Sequence, residues 1–162
     1  LQNEVSNLAF IIDEGAAKGM SIILNPSPIN EKIFECDLEK VEYLILNEIE
    51  AADILGASDT GEDELIEKLT KRFPGMKIVL TLGEKGSVYV DKTQKIRQEI
   101  YKADVVDTTA AGDTFTGYFI AGIVAGIDVA GALKQAAKAA SITVSRKGAS
   151  PSIPFAKEVC ER

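Results

Sequence analysis

The chain has 162 residues, of which 46% are hydrophobic and 27% are charged, and its formal net charge is −7. This length and balance fit one globular domain with its own core. The acidic charge argues against a nucleic-acid or acidic-membrane surface, so we expect neither as a partner. The absence of histidine excludes Ser-His and Cys-His catalysis and His-ligated metals, which leaves acid–base work to carboxylates, Lys or Tyr.

Two further features place the chain among ordinary cytoplasmic proteins. Cys36 and Cys160 lie far apart in sequence and have no metal-ligand spacing, so we expect two free thiols. We find neither a signal peptide nor a charge-free apolar run of about 18 residues, the length that a membrane helix needs. We therefore expect a cytoplasmic protein.

The first half of the chain alternates between helical and strand patterns. Apolar residues at helical spacing predict amphipathic helices, and short apolar runs closed by Gly, Pro or Asn predict buried strands. The chain begins with Leu1, and its first residues suggest the end of a strand that began upstream. The expected elements are a strand end at residues 2–4, a helix over 5–18, a strand over 20–24, a turn at 25–28, a strand over 43–46, a helix from 47 to Gly56, a helix over 61–73 and a strand over 77–82.

The second half predicts a hairpin and then two long helices. The hairpin strands are expected over 87–91 and 95–101, one helix from Asp113 to near Gly126, and an Ala-rich helix over 129–144. Strands alternating with helices predict an α/β fold, with a mostly parallel sheet sandwiched by helices and an added antiparallel hairpin. Small and polar residues follow the predicted strands at 25–28, 47–50, 81–86 and 109–113. Because ligands bind at the carboxyl ends of the strands in such sheets, we expect a single site there.

The stretch from Asp107 to Asp113 carries the clearest chemistry. Ala110, Ala111 and Gly112 lead into a helix N-terminus, whose unpaired N–H groups and positive dipole end form an anion site. Asp113 in the first turn could take a proton from an attacking hydroxyl, as a catalytic carboxylate does in phosphoryl transfer. The alternative is that Asp113 only satisfies the helix N-terminus, as Asp does widely.

This stretch resembles the D-T-x-[GA]-A-G-D signature of the ribokinase family of sugar kinases. The first small residue is Ala110 rather than the more usual Gly, and ribokinases proper often carry Ala there. The resemblance covers essentially all 162 residues and corresponds to the C-terminal half of such an enzyme. It implies a ribokinase-like fold that lacks its N-terminal strands, its small β lid and most of its sugar contacts. Residues 1–162 would then be one partial domain, the nucleotide-binding half.

Two further motifs resemble the nucleotide and metal sites of that family. Asn47 and Glu50 match N-x-x-E, which implies that Glu50 organises Mg²⁺ and Asn47 helps to place the phosphates; the alternative is a Glu pair that complements a helix dipole. The stretch from Thr81 to Gly86 is neither a P-loop nor a dinucleotide fingerprint, and its local chemistry indicates only a turn. It resembles the family's T-L-G-x-x-G nucleotide loop, which implies nucleotide contacts from Thr81, Gly83 and Gly86.

The segment after the second long helix matches the ribokinase tail R-K-G-A-x-P-S. In the family this segment and the D-T-x turn surround a monovalent cation, K⁺, with oxygen atoms. The implied cation ligands, several of them through backbone carbonyls, are Asp107, Thr109, Thr143, Arg146, Gly148 and Ser152. The alternative is a basic loop that closes a helix C-terminus. Ala137 falls where the family places a residue against the adenine.

The resemblance also implies two features of a sugar site. Glu4 aligns with a family carboxylate that contacts sugar hydroxyls, and a carboxylate suits two adjacent hydroxyl donors. The alternative is a solvated Glu at a strand end. Residues 25–28 resemble the N-P-x-P of ribokinases, which shapes the floor of that site.

Together these features predict ATP-dependent phosphorylation of a sugar primary hydroxyl, with ATP, Mg²⁺ and K⁺ as cofactors. In that reaction Asp113 is the base and the residues from Ala110 to Asp113 form the anion hole. Ribose is favoured as the substrate, although kinases for fructose, nucleosides or ketodeoxygluconate share the core. Two alternatives stay open, a nucleotide-binding fragment without sugar kinase activity of its own and a non-catalytic regulatory relative. A sheet edge exposed by truncation could also produce a homodimer.

Overall fold

The computed structural model describes residues 1–57 and 60–160. Helices in this part of the chain are α1 (Leu8–Ala17), α2 (Glu48–Leu55), α3 (Glu62–Arg72), α4 (Ala111–Val124), α5 (Val129–Val144) and α6 (Ala156–Cys160). The strands are β1 (Ile23–Leu24), β2 (Tyr43–Asn47), β3 (Lys77–Thr81), β4 (Ser87–Val90) and β5 (Lys95–Gln98). The chain divides into two compact units. The first unit comprises Leu1–Gly83 and Val88–Ile96, and the second comprises Glu84–Ser87 and the chain from Arg97 onward.

The five strands form one sheet in the order β1-β2-β3-β4-β5. β1 pairs with β2 in parallel, and β2 pairs with β3 in parallel with Asn47 opposite Thr81. Short links join β3 to β4 and β4 to β5, and neighbouring strands joined by so few residues must run antiparallel. The sheet is therefore mixed, with a parallel part followed by the expected antiparallel hairpin.

The first unit buries an aliphatic core around β2 and β3. Leu44, Leu46, Ile78 and Leu80 are at most 1% exposed, which is typical of parallel strands covered by other elements. Helix α3 contributes three inward residues at helical spacing, Leu65, Ile66 and Leu69. Its first turn is acidic and its last turn is basic, which complements the helix dipole.

The second unit is built on the close packing of α4 against α5. Phe119 of α4 and Leu133 of α5 are fully buried. A Cβ at Gly122 would lie 3.0 Å from the Cβ of Ala132, so the absence of a side chain there lets the two helices approach. The small alanine side chains of α5 also allow close packing, and Ala136 and Ala139 are completely buried.

Most expected elements are present, with differences at their ends. The strand expected over 20–24 is reduced to Ile23–Leu24, and α4 begins at Ala111 rather than after Asp113. Three 3-10 turns and α6 were not expected; the turns span Glu31–Glu35, Leu38–Lys40 and Ser150–Ser152. Such turns of three to five residues carry too few apolar positions to show a helical period.

Two smaller expectations concern thiols and membranes. Cys36 is a free thiol, as expected, whereas the side chain of Cys160 lies outside what the structure describes. Across residues 1–57 and 60–160, none of the helices has the length and apolar character that crossing a membrane requires.

Candidate active site

The carboxyl ends of the parallel strands bring several predicted residues to one edge of the first unit. Asn47 ends β2 and is paired in register with Thr81, which ends β3. Asn25 follows β1 directly and forms a parallel bridge with Gln2. Glu4, which is exposed, lies two residues beyond that bridge. The first unit therefore gathers the predicted polar clusters at the edge where α/β folds bind their ligands.

Asn47 and Glu50 form a reciprocal cap at the start of α2. The Asn47 side-chain oxygen accepts the Glu50 N–H, and the Glu50 carboxylate accepts the Asn47 N–H, both at 2.9 Å. This capping box satisfies two backbone donors at once. Glu50 is only 7% exposed, and within the described residues its Oε1 accepts no hydrogen bond. The geometry explains the helix start, and it leaves the Glu50 Oε1 available at the strand edge.

The loop after β3 has two glycines with left-handed backbone angles. Thr81 donates its hydroxyl to the Leu46 carbonyl at 3.3 Å, which fixes the end of β3 against β2. Gly83 has φ 55° and Gly86 has φ 89°. A Cβ at Gly86 would lie 2.1 Å from the backbone oxygen of Gln98, a distance that no side chain could tolerate. Gly86 is therefore required by close backbone approach as well as by its backbone angles.

The D-T-T-A-A-G-D stretch turns sharply into α4. Ala110 adopts a left-handed conformation, with φ 62° and ψ 9°, immediately before the helix. The Ala111 N–H donates to the Thr108 carbonyl at 3.2 Å, whereas the Gly112 N–H makes no hydrogen bond within the described residues. Asp113 is exposed and lies in the first turn, as the sequence predicts. The turn thus presents a backbone donor and a carboxylate side by side at the positive end of the helix.

The carboxylate of Asp107 holds two distant backbone segments together. Its Oδ1 accepts the Thr109 N–H and its Oδ2 accepts the Gly148 N–H, both at 2.9 Å. Hydrogen bonds from the Thr109 hydroxyl and from these two amides hold the pKa of Asp107 below its ordinary value. The Asp107 N–H in turn donates to the Val144 carbonyl at 3.1 Å. We call this arrangement, Asp107 with Thr109, Val144 and Gly148, the carboxylate brace.

The other predicted cation ligands lie around the end of α5. Thr143 is fully buried; its hydroxyl donates to the hydroxyl of Thr114 at 3.1 Å, and its carbonyl accepts the Arg146 N–H at 3.0 Å. The side chain of Arg146 forms an ion pair with Glu158, whose pKa is lowered by that contact, by the Phe155 N–H and by nearby Lys157. Ser152 is also buried and donates its hydroxyl to the Ala149 carbonyl at 2.6 Å. These side-chain contacts fix the loop that follows α5.

Ala137 stands apart from these contacts. It is buried on α5, with 7% of its surface exposed, and a methyl side chain forms no hydrogen bond. The assignment of Ala137 to the adenine therefore continues to rest on the resemblance alone.

The donor atoms at both predicted ion sites suit hard cations. Glu50 offers a carboxylate oxygen, and the brace region offers a carboxylate and backbone carbonyls; oxygen ligands of this kind suit Mg²⁺ and alkali ions. Within residues 1–57 and 60–160, no group of three or more Cys, Asp or Glu side chains could hold a metal by itself. Any Mg²⁺ would therefore be held partly by water or by substrate phosphates, as Mg²⁺ usually is.

The predicted residues divide between the two units. Glu4, Asn47, Glu50, Thr81 and Gly83 belong to the first unit. The second unit contains Gly86, the D-T-T-A-A-G-D turn, α5 and the segment after α5. Each group of predicted site residues therefore lies within a single unit.

Two residues whose side chains make structural contacts at these sites, Thr114 and Asn3, were not identified from the sequence. Thr114 follows Asp113 and is 2% exposed; its hydroxyl contact with Thr143 links the first turn of α4 to α5. Asn3 is 4% exposed, and its side chain donates to the Pro28 carbonyl at 2.8 Å. The sequence signal for either is its position beside a predicted site carboxylate, the candidate base Asp113 or the candidate sugar ligand Glu4.

Comparison with known proteins places these features in a family. A ribokinase of Staphylococcus aureus is 37% identical over 146 residues, which cover 88% of this chain and 48% of that protein. The structure of Arabidopsis thaliana ribokinase complexed with ribose and ATP aligns with a TM-score of 0.80 at 32% identity, covering 92% of this chain and 49% of that one. Ribokinase from Cryptococcus neoformans in complex with ADP aligns with a TM-score of 0.83 at 32% identity, covering 98% of this chain and 57% of that one.

These alignments define the class of protein, an α/β chain with the ribokinase-like fold. Residues 2–156 match the pfkB family of carbohydrate kinases, and the chain belongs to that family. It spans about half the length of the curated relatives that it matches.

Proposed function

We propose that this chain is the nucleotide-binding and catalytic part of an ATP-dependent sugar kinase. The observation that carries the proposal is the turn from Ala110 to Asp113, where an amide that bonds to no described residue and an exposed carboxylate lie together at the N-terminus of α4. Family membership and the relatives named ribokinase support it. The relatives solved with ribose and ATP and with ADP support a sugar and a nucleotide as the two ligands.

Asp113 acts as the general base of the proposed reaction. Its carboxylate accepts the proton of a sugar primary hydroxyl as the hydroxyl oxygen attacks the γ-phosphorus of ATP in line. The bond between that phosphorus and the β,γ-bridging oxygen breaks, and ADP leaves. An exposed carboxylate in the first turn of a helix suits this role, because a substrate hydroxyl can reach it.

The helix N-terminus stabilises the charge that develops on the transferred phosphoryl group. The Gly112 amide makes no hydrogen bond with the described residues, and the left-handed conformation of Ala110 turns the chain so that the helix begins there. Backbone donors fixed in advance need no reorganisation during the reaction. The residues from Ala110 to Asp113 therefore serve as the anion hole.

Two ion sites support this chemistry through residues of this chain. Glu50, with Asn47 holding its carboxylate in place, would hold Mg²⁺ through water, and the ion would neutralise phosphate charge. K⁺ would be held by Asp107, Ser152 and four backbone carbonyls, those of Thr109, Thr143, Arg146 and Gly148. This ion would stabilise the shape of the D-T-T-A-A-G-D turn and take no part in proton transfer.

Nucleotide contacts are proposed for the loop after β3. Thr81 ends β3 opposite Asn47, and Gly83 and Gly86 lie in the loop that follows. Left-handed glycines allow the backbone to approach a ligand closely. Ala137 would lie against the adenine. Ribose is the proposed sugar because the relatives named above are ribokinases, and Glu4 would accept hydrogen bonds from its hydroxyls.

The test is sugar-dependent ADP release by the full-length protein. The rate of ADP release is compared for five compounds at equal concentration, each with MgATP and with or without K⁺. The compounds are ribose, deoxyribose, fructose, a nucleoside and ketodeoxygluconate. We expect the highest kcat/KM for ribose and a stimulation by K⁺. ADP release that no sugar increases would contradict the proposal, and a preference for another sugar would correct the substrate only.

A second candidate function follows from the half-length coverage of the relatives. The chain by itself would bind nucleotide and lack sugar kinase activity, since a site without a covering lid does not exclude water. Calorimetry with MgATP and a kinase assay with ribose on residues 1–162 test this. We expect weak nucleotide binding and no ribose-dependent turnover; turnover equal to that of the full-length protein would contradict it.

A further inference from the structure

Asn3 is a buried polar side chain that no predicted motif explains. It is 4% exposed, although Glu4 and Val5 beside it are exposed. Its Nδ2 donates to the carbonyl of Pro28 at 2.8 Å, across 25 residues of sequence. Its Oδ1 is buried and has no hydrogen-bond partner among residues 1–57 and 60–160. Because an amide costs more to bury than a hydrocarbon of the same size, packing alone does not account for this residue.

The partner of Asn3 is one end of the turn that follows β1. The other end of this turn is held by the backbone: Gln2 bridges to Asn25, and the Asn25 N–H donates to the Leu1 carbonyl at 2.9 Å. Within the turn, the Ser27 N–H donates to the Asn25 side-chain oxygen at 3.0 Å. Asn3 supplies the side-chain bond that fastens the far end, at Pro28.

The orientation of the Asn3 amide follows from its partner. A carbonyl oxygen can only accept, so the NH₂ group must face Pro28 and the side-chain oxygen must face away. The bond therefore depends on the amide as a donor. A carboxylate or a hydrocarbon at this position could not replace it.

We propose that Asn3 is a positioning residue for sugar binding, which clamps the turn from Asn25 to Pro28 onto the segment that carries Glu4. This inference rests on the proposed function. Asn3 itself does not act on the reacting atoms. It holds the turn after β1 and the segment that carries Glu4 in one fixed arrangement. A sugar then meets a preformed surface rather than one that must be ordered on binding.

The test compares three variants of the full-length protein. Asn3→Leu keeps the size of the side chain and removes the bond; Asn3→Asp keeps the shape and removes the donor. Asn30→Ala is the matched control, because the Asn30 side chain caps the neighbouring 3-10 turn by accepting the Lys32 N–H. For each, the KM for sugar, the KM for ATP, kcat and the thermal midpoint are measured.

We expect Asn3→Leu to raise the KM for sugar by about fivefold or more, with the KM for ATP and the thermal midpoint nearly unchanged. Asn3→Asp is expected to raise the KM for sugar as well and to lower the thermal midpoint, because it buries a charge. Amide hydrogen exchange at Ser27 is expected to be faster in both variants and unchanged in Asn30→Ala.

Three results would overturn the inference. The first is an unchanged KM for sugar in Asn3→Leu, and the second is an equal rise of the KM values for sugar and ATP. The third is an unchanged exchange rate at Ser27 in Asn3→Leu. These results differ from failure of the proposed function, which would appear as sugar-independent ADP release by the unsubstituted protein.

Discussion

Asp107 and Gly148 are 41 residues apart in sequence, yet the Asp107 carboxylate accepts the Gly148 N–H at 2.9 Å. The same carboxylate accepts the Thr109 N–H, so one side chain fixes the turn before α4 and the loop after α5. Its position two residues from Thr109 gives it a second role as a local turn former. The shape of the proposed anion hole thus depends on a contact that lies outside it.

Replacing Asp107 by Asn tests the carboxylate brace. An amide has one acceptor oxygen, and its NH₂ group cannot accept a backbone N–H, so either Thr109 or Gly148 loses its partner. We expect Asp107→Asn to lower the thermal midpoint and to speed amide exchange at one of these two residues. Asp104→Asn, an equal change at an exposed position three residues earlier, is the control and should change neither. Equal behaviour of the two variants would contradict the brace.

The pH dependence of the brace follows from the lowered pKa of Asp107. The Thr109 hydroxyl and the two amides stabilise the ionised carboxylate, so its pKa in the folded protein lies below the ordinary 3.8. The stabilisation is therefore fully present above that ordinary value and is lost as pH falls through the folded pKa. The difference in unfolding free energy between the unsubstituted protein and Asp107→Asn should stay constant from about pH 7 to about pH 5. It should shrink in stronger acid, and growth of the difference there would be inconsistent with this account.

Ala110 tests the backbone strain at the start of α4. A left-handed conformation costs an L-residue with a Cβ roughly 1–2 kcal/mol, and Gly avoids this cost while losing about 0.5–1 kcal/mol through chain entropy. We expect Ala110→Gly to leave the free energy of unfolding unchanged or raised by up to about 1 kcal/mol. Ala110→Val should lower it by about 2 kcal/mol, since a β-branched residue tolerates φ 62° poorly. Urea denaturation measures both, and destabilisation by Gly comparable to that by Val would show that strain is not the determinant.

Gly86 and Gly83 form a matched pair in the loop after β3. Both have positive φ angles, but a Cβ at Gly86 would meet the Gln98 oxygen at 2.1 Å, whereas a Cβ at Gly83 would meet no atom within 4 Å. Gly83→Ala should therefore cost only the conformational strain, about 1 kcal/mol of unfolding free energy. Gly86→Ala should cost at least about 2 kcal/mol more, because backbone must move. Equal losses in urea denaturation would rule out the close approach at Gly86.

Residues with a strong local pattern were well predicted from the sequence. The inward stripe of α3 and the bounds of α5 agree with their apolar periods, and the expected carboxyl-edge clusters lie after β1, β2 and β3. Asp113 lies in the first turn of α4 as expected, because small residues followed by Asp mark a helix start. These features depend on neighbours within a few residues.

Features set by distant contacts could not be predicted in the same way. Nothing local in the sequence shows that Asp107 bonds Gly148, that Thr143 turns its hydroxyl towards Thr114, or that Asn3 reaches Pro28. Residues 20–22 have strand-like composition, yet the parallel pairing of β1 with β2 begins only at Ile23, which lies opposite Tyr43. The direction of β4 relative to β3 likewise depends on which strands become neighbours.

The central claim is that Asp113 is the base, and the most direct test compares two Asp→Asn variants of the full-length protein. Asp128 is also at the start of a helix, where it accepts the Gly131 N–H as the cap of α5, and Asn caps helices equally well. We expect Asp113→Asn to lower kcat by at least about 10²-fold while the affinity for nucleotide stays within about twofold. Asp128→Asn should leave kcat unchanged. Substantial turnover by Asp113→Asn, at a rate close to that of Asp128→Asn, would show that Asp113 is not the base.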